Sequence, residues 1–524
     1  MPTLTLLTLL LASLAPAAPL NVLLASTTSS PSHYIWTNAL ATGLLDRGHH
    51  VTEFVIRPAA VKHANRTSFV IEAPTYTEDH DVDLEVSNQQ SIWEEIPFLY
   101  TFSTESTRVA FESKGFADLV RHLQEKKPKF DLLVIDYALQ ETVIGLNALI
   151  GRVPVVAFSP YNMPEDVLQL MGSPFVPSML PYAGVGADGG VPMTFRERAD
   201  NLFKWVVFKT YVHFVARPRV NGEIAKWFPG APTLEELERD VAVSLVNTSP
   251  ALHGGMPVVP GVVEVGGLQA RPAKPLPKDL LDWVSEKNAP HGFIFMSFGT
   301  NVMSSMLRKD RRDAILRAFG RLKQRVLWKY ETDDILDKLP PNVKVAKWLP
   351  QNDLLGHPNI RCFVSHNGGL STQEASYHGV PIVGVPFFAD QIGYAQKTEK
   401  IGIGRRVQYQ AITEDSFYEA VADVVNNPKY RGNMKKVQQA LRDQKETPLE
   451  RAVWWIEYAA RTRGAPNLRS PGLRLRWYEL YMLDVLGAAL LVTLVALWLL
   501  GRVVTACTGL LSSSALKRVK AKSQ

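Results

Sequence analysis

The chain holds only two cysteines in 524 residues, Cys362 and Cys507, too few for a disulfide framework. Cys362 sits in the apolar run Ile360–Val364 and Cys507 follows a long apolar segment, so the two belong at different depths. A core of this size does not need disulfides. No G-x-G-x-x-G follows the first apolar strand, which argues against a nicotinamide oxidoreductase. Also missing are a Walker lysine, a metal-spaced cluster of His, Asp or Cys, a short solenoid repeat and any low-complexity tract. Acidic residues are absent from Gly501 to Gln524.

That last absence sets the topology. Val485–Leu500 is an uncharged apolar run, and Leu480–Leu483 and Val503–Val504 extend it to roughly the twenty residues that cross a bilayer. Trp477, Tyr478 and Tyr481 flank it as interfacial aromatics. Beyond it stand Arg502, Lys517, Arg518, Lys520 and Lys522, so positive-inside asymmetry places the tail in the cytosol and the bulk of the chain in the lumen. Those five residues supply most of the formal charge of +6. The pI near 9.0 is therefore no sign of nucleic-acid binding.

At the other end, the apolar run Leu4–Leu14 followed by Ala15-Pro16-Ala17 reads as a signal peptide, although it lacks a basic n-region. Asn65-Arg66-Thr67 and Asn247-Thr248-Ser249 are sequons that suit a lumen and nominate Asn65 and Asn247 for glycosylation. The terminal Lys520-Ala521-Lys522-Ser523-Gln524 resembles a dilysine retrieval signal. The expectation is a single-pass type I protein of the endoplasmic reticulum membrane.

The roughly 460 residues between leader and span suit two domains. Asn21–Ala25, a helical segment from His33 to Arg47, and Val51–Ile56 make a strand–helix–strand unit of a parallel sheet. Phe130–Asp136 and Val153–Ser159 repeat the continuous apolar pattern. Asn201–Val220 is rich in aromatic and aliphatic residues, but Lys204, Lys209 and His213 exclude a spanning helix. Core packing is the first expectation for it and a membrane-surface helix the second. The proline-rich passage Gly266–Pro277 reads as a linker. The alternation then restarts with Phe293–Phe298, Val326–Tyr330, Val343–Ala346, Ile360–Val364 and Pro381–Val385. Two doubly wound α/β domains facing a cleft are expected. The boundaries are 1–18 for the leader, 19–265 for the N-terminal domain, 266–277 for the linker and 278–476 for the C-terminal domain with its return helix. The span covers 480–501 and the basic tail 502–524.

The densest chemistry lies between Trp348 and Gln391. Val364–Ser365 ends a strand, His366–Leu370 is a glycine-containing loop, and Ser371-Thr372-Gln373-Glu374 matches a capping box. A helix N-terminus at the carboxyl end of a parallel strand presents free N–H groups and a positive dipole end, which suits a diphosphate. His366 and Ser371 can add hydrogen bonds, and the turn with Gly299 and Thr300 can add more. Trp348 offers a face for a planar base and Gln351 an amide for its edge. Asp390 and Gln391 can accept from and donate to vicinal sugar hydroxyls. Each feature alone is commonly structural, so their joint order makes the case.

In these residues the chain resembles the animal UDP-glycosyltransferases. The match covers WLPQNDLLGHP, the strand–histidine–glycine turn, YHGVP…GVPFFADQ, GGLQARPAKPLP, SFGT and the Trp454-Trp455 helix, with a flavour closest to arthropod members. The resemblance implies a GT-B fold of two Rossmann-like domains and a C-terminal transmembrane helix. It implies an enzyme moving a hexose from a UDP-sugar to a small lipophilic acceptor, with no metal. By matched position, Trp348 stacks on uracil and Gln351 meets the base or ribose. His366 and Ser371 meet the phosphates, Glu374 the ribose hydroxyls, and Asp390 and Gln391 the sugar. Two departures stand out. Leu370 replaces a common Asn, and the glycine pair is shifted to Gly368-Gly369 behind Asn367.

Inverting transfer needs a base for the acceptor hydroxyl, and histidine suits that task near neutral pH. A carboxylate on its other nitrogen would orient it. Spacing alone leaves His49 and His50 beside His33, and Asp131 beside Asp136. The resemblance selects His33, in PSH, and Asp136, the second Asp of FDLLVID. Glucose is the expected sugar, with glucuronate its rival. The expected partners are UDP-sugar, acceptor and membrane, with no nucleic acid and a homo-oligomer left open. An epimerase or hydrolase on the same fold, or a non-catalytic UDP-sugar-binding protein, are the competing classes.

Overall fold

The computed structural model describes residues 18–59, 61–72, 84, 92–138, 140–162, 165–180 and 192–522. The expected leader therefore lies outside the described residues save for Ala18, and the retrieval signal lies partly outside them. The described chain forms one compact unit up to Arg469 and a second from Ser470 onward.

The first unit contains two parallel sheets. β1 (Asn21–Ser26), β2 (His50–Val55), β3 (Arg66–Val70), β4 (Leu132–Asp136), β5 (Val155–Ser159), β6 (Val241–Val246) and β7 (Val262–Glu264) pair in the order 3-2-1-4-5-6-7. β8 (Phe293–Ser297), β9 (Arg325–Lys329), β10 (Val343–Ala346), β11 (Ile360–Ser365), β12 (Ile382–Gly384) and β13 (Gly404–Arg406) pair in the order 10-9-8-11-12-13. Strands such as Leu132–Asp136 and Phe293–Ser297 are buried along their whole length. Burying a large aliphatic side chain contributes about 1.5–3 kcal/mol, so uninterrupted apolar strands need helices on both faces. In each sheet the strand order reverses once, between β1 and β4 and between β8 and β11. Crevices at the carboxyl ends of such strands are where open α/β sheets bind ligands.

A helix from the far end of the unit ties the two sheets together. Pro448–Arg461 carries Ala452, Val453, Ile456 and Ala459 into the same core cluster as Val22, Leu24, Trp36 and Leu40. It lies so close to the helix Pro31–Asp46 that a Cβ on Gly43 would stand 2.9 Å from Val453. His49 Nε2 meets Glu457 Oε1 at 3.1 Å, while His49 Nδ1 accepts from Leu20 N at 3.1 Å. Both nitrogens of His49 are thereby structural.

Two expectations fail here, the first of them in part. The Asn201–Val220 segment packs into the core on one face only, through Trp205, Phe208, Tyr211, Ala216 and Val220. Phe195–Tyr211 is followed by a π-helical turn, Val212–Ala216, and by Arg217–Trp227. Asn201 is the buried residue of the first of these helices, donating to Pro177 O and Leu180 O. Phe195 and Phe214 are 79% and 71% exposed, and Leu202, Phe203 and Val206 are exposed with them. The charged residues at this spacing mark an amphipathic surface helix instead.

The second failure is Asn247. It is 0% exposed, donates through Nδ2 to Pro160 O at 2.7 Å and accepts from Gln373 Nε2 at 2.7 Å. A sequon reads the same whether or not its asparagine is buried, and here both ends of the amide are committed across the two sheets. Asn65, by contrast, lies in a half-buried turn just before the edge strand β3.

The long helix of the second unit, Leu483–Lys522, follows the short helix Trp477–Leu480. Its apolar stretch Leu483–Leu510, 28 residues with an 18-residue window of mean hydropathy 2.4, is long and apolar enough to cross a membrane. Peptide mass mapping of the chain made in eukaryotic cells should find Asn247 unmodified and any N-glycan at Asn65; a glycan on Asn247 would contradict this fold.

Candidate active site

A cavity of about 520 Å³ lies between the carboxyl edges of the two sheets. On the first-sheet side it is lined by His33, Ile35, Phe98, Leu99, Phe102 and Tyr161. On the second-sheet side it takes in the residues singled out between Gly299 and Gln391.

His33 is the third residue of the helix Pro31–Asp46, which starts at Ser30 with proline in its first turn. Its Nδ1 stands 2.5 Å from Asp136 Oδ2. The same oxygen accepts from Ser26 Oγ at 2.9 Å and Thr28 Oγ1 at 3.3 Å. Asp136 is fully buried at the end of β4. Carboxylates here accept only, so Nδ1 carries the proton and Nε2 is left bare on the cavity side. The rivals go elsewhere: His49 pairs with Glu457, and Asp131 accepts from Asn21 N at 2.8 Å.

Across the cleft, the helix Gly369–His378 begins three residues earlier than the capping-box reading requires. Its first internal bond runs from Thr372 N to Gly368 O. The amides of Gly369, Leu370 and Ser371 thus lie ahead of the ladder, and Gly369 N donates to Asp390 Oδ2 at 3.2 Å. Ser371 and Glu374 do not cap. They sit within the helix, where Gln351 Nε2 donates to Glu374 Oε2 at 2.9 Å and to Ser371 Oγ at 3.2 Å. Glycine at 368 and 369 is needed for space. A Cβ on Gly368 would fall 2.4 Å from His366 Nε2, and one on Gly369 3.2 Å from Asp390 Oδ2. Gly299, at φ +82°, would likewise drive a Cβ to 2.8 Å from the His366 ring.

The two departures from the family pattern acquire physical explanations. Asn367, at φ +58°, is buried and donates to Thr398 Oγ1 at 2.9 Å. It fills the space beside Gly384, where a Cβ would lie 1.7 Å from its Oδ1. Leu370 packs against the cluster formed by Trp36, Leu40 and Val265 on the first sheet. It serves the closure of the two sheets, not the phosphate loop.

Burial sets the charges. Glu374 is pushed up to about 7 by burial, against the opposing bond from Gln351. Asp390 is pushed up to about 6, with the Gly369 amide and the His33 imidazole across the cleft pulling it down. Burial and the Lys329 cation lower His366 to about 4, so it is a neutral hydrogen-bonding group near pH 7. Gln391 accepts from Phe387 N at 2.9 Å and Phe388 N at 3.3 Å. Its oxygen is therefore used, and only its NH2 remains for a ligand. Asp390 and Gln391 open the helix Asp390–Lys400 rather than closing a loop. Trp348 is 71% exposed on the cavity wall, as an indole face waiting for a planar partner would be.

Residues 21–517 match the family described as UDP-glucoronosyl and UDP-glucosyl transferase. The chain belongs to that family. It is 30% identical to UDP-glycosyltransferase UGT5 of Dactylopius coccus, covering 87% of this chain and 86% of the relative. It is 31% identical to UDP-glucuronosyltransferase 2B15 of Rattus norvegicus, covering 87% of each. With the 2-hydroxyacylsphingosine 1-beta-galactosyltransferase of Mus musculus it shares 32% identity, over 88% of this chain and 84% of that one. The fold is that of solved glycosyltransferases. The glycotransferase of kitacinnamycin superposes at a TM-score of 0.58, with 21% identity over 84% of this chain and 99% of the other. The UDP-glucosyltransferase of Polygonum tinctorium gives 0.56, with 18% identity over 85% and 99%. The protein is thus a UDP-glycosyltransferase of GT-B architecture.

Several lining residues of the transferase escaped the sequence reading. Lys329 ends β9, donates to Gly299 O at 2.7 Å and pairs with Glu331 at 3.0 Å. A lysine inside the apolar run Val326–Tyr330 was the available signal. Arg271 of the linker pairs with Asp353 at 2.7 Å, and Asn301 follows the glycine turn; neither differs locally from an ordinary polar residue.

A ribose diol donates more strongly to a carboxylate than to a carboxylic acid. Because Glu374 is pushed up to about 7, the affinity for uridine should rise, by up to about tenfold, between about pH 6 and about pH 8. Uridine has no group titrating in that window. Calorimetry on Glu374→Gln should give a flat profile, and a pH-independent affinity in the unsubstituted chain would remove Glu374 from ribose recognition.

Proposed function

We propose that the transferase moves a neutral hexose, glucose first, from a UDP-sugar to a hydroxyl of a small lipophilic acceptor. The observation that carries this reading is the His33–Asp136 contact at the carboxyl edge of the first sheet. The bare Nε2 takes the acceptor proton as the oxygen attacks the anomeric carbon from the side opposite UDP, so configuration inverts. Asp136 stabilises the imidazolium that forms. The departing diphosphate is met by the amides ahead of the Gly369–His378 ladder, by the turn at Gly299 and Thr300, and by neutral His366. Trp348 and Gln351 hold the base, Glu374 the ribose, and Asp390 with the Gln391 NH2 the sugar hydroxyls. The reading uses no metal.

The charge balance supports a neutral sugar. Among the described residues, the two Lys or Arg cations lining the cavity, Lys329 and Arg271, are already paired with Glu331 and Asp353. A uronate would face Asp390 without a cation committed to it. Among the relatives are proteins named as glucosyl, glucuronosyl and galactosyl transferases, so family membership alone leaves the sugar open. Ile35, Phe98, Leu99 and Phe102 give the acceptor side an apolar wall, which supports a lipophilic substrate. The apolar helix Leu483–Leu510 supports a single-pass anchor, and the basic tail supports a luminal placement of the catalytic unit in the endoplasmic reticulum.

Microsomes holding the chain, offered UDP-glucose, UDP-glucuronate and UDP-galactose with a panel of phenols and steroids, should yield hexosylated products detectable by mass spectrometry. His33→Ala should lower turnover about 10²–10⁴-fold with UDP-glucose binding retained. Unchanged turnover in that variant would exclude His33 as the base. Binding without product for any acceptor would leave a non-catalytic UDP-sugar protein.

A further inference from the structure

Two chains of hydrogen bonds leave the helix that carries His33 and end on the loops of the donor side. The first is at its start. Asn301 Nδ2 donates to Ser30 Oγ at 2.9 Å, across 271 positions of sequence. Ser30 is the N-cap residue of the helix, yet its side chain makes no capping bond. Its hydroxyl is turned toward Asn301 and toward Ser32 Oγ at 2.9 Å. A serine at an N-cap ordinarily accepts from the second or third amide of its helix, and here that use is given up for a contact across the cleft.

The second chain begins one helical turn after His33. Trp36, fully buried, donates through Nε1 to Gln269 Oε1 at 3.2 Å. Gln269 in turn donates through Nε2 to Leu370 O at 3.2 Å. Leu370 is the second residue of the Gly369–His378 helix, next to the Gly369 amide that holds Asp390. One linker amide therefore joins the His33 helix to the very turn expected to receive the diphosphate.

A helix held at one point can still rotate or slide. Held at Ser30 and again at Trp36, on either side of His33, it can do neither without breaking a bond. Displacement of a reacting group by about 1 Å can cost about 10²-fold in rate, so two fixed points bear directly on the chemistry. We propose that Asn301 and Gln269 are positioning residues, which set the distance between the His33 imidazole and the donor by clamping its helix to the two donor loops. The proposal rests on the reading of His33 as the base.

The test uses the full chain in lipid nanodiscs and a UDP-sugar and phenol pair that turns over. Asn301→Ala and Ser30→Ala should each lower kcat about tenfold, with UDP-sugar Kd changed by less than about twofold. Because both remove the same bond, the double variant should be no slower than either single one. Asn301→Asp should recover most of the rate, since the Ser30 hydroxyl can donate to the new carboxylate. Gln269→Leu should slow kcat separately and multiply with Asn301→Ala. Losses that multiply between Asn301→Ala and Ser30→Ala would overturn the proposal, as would a loss confined to donor Kd or an unchanged kcat. Hydrogen exchange over residues 30–37 with UDP bound reads the clamp without turnover. Faster exchange in Asn301→Ala supports it and unchanged exchange overturns it. If no acceptor is glycosylated at all, the assignment of His33 as base fails while the exchange result still decides the clamp.

Discussion

The contact between Asp136 and His33 is the constraint around which the rest is arranged. It places a carboxylate at the buried end of β4, where water cannot solvate it, and leaves three neutral or ionisable donors, Ser26, Thr28 and His33, to satisfy one of its oxygens. A buried polar group that loses a hydrogen-bond partner costs about 1–3 kcal/mol, so the sheet edge favours the imidazole turned toward Asp136. That orientation decides which nitrogen carries the proton. Three parts of the chain must therefore coincide: the end of β1, the first turn of the following helix and the end of β4. The strand order 3-2-1-4 brings them together because the reversal lies between β1 and β4.

The second sheet repeats the same geometry with different chemistry. Its reversal, between β8 and β11, opens onto glycines whose lack of Cβ makes room for the His366 ring. The helix that follows offers amides where the first sheet offers the His33 imidazole. Neither crevice suffices alone for transfer, and the return helix Pro448–Arg461 fixes their relation by joining the core of the first sheet. Leu370 belongs to this logic. A polar residue there would reach only toward phosphate, whereas leucine seals the donor loop against Trp36 and Val265.

Much of this was legible in the chain. Continuous apolar strands such as Phe293–Phe298 and Ile360–Val364, with helical segments between them, gave both parallel sheets, because only strands buried on two faces read that way. Trp348 to Gln391 was legible as a candidate donor site because its order joins an aromatic face, an amide, a glycine turn and an Asp-Gln pair, and these residues line one cavity. What did not read was whatever depends on distant neighbours. The sequon at Asn247 gives no hint that Gln373, from the other sheet, will occupy its oxygen. The Ser-x-x-Glu pattern at Ser371 suggested a cap, yet the helix starts at Gly369 and both side chains are taken by Gln351, which lies about twenty positions away. The aromatic stripe from Leu202 to Phe214 was ambiguous for the same reason: periodicity reports an apolar face but not what covers it. Spacing alone did not separate His33 from His49 and the resemblance had to choose, because Glu457, the partner of His49, lies more than four hundred positions away.

The central claim is that Asp136 holds His33 as the Nδ1–H tautomer, with Nε2 bare toward the cleft. Nitrogen-15 NMR of the histidine-labelled chain in nanodiscs near pH 7 measures this directly. A neutral His33 ring protonated on Nδ1, with its proton signal shifted downfield by a strong hydrogen bond, is the expected result. A ring protonated on Nε2 would contradict the account, because that nitrogen could not then accept the proton of an attacking hydroxyl.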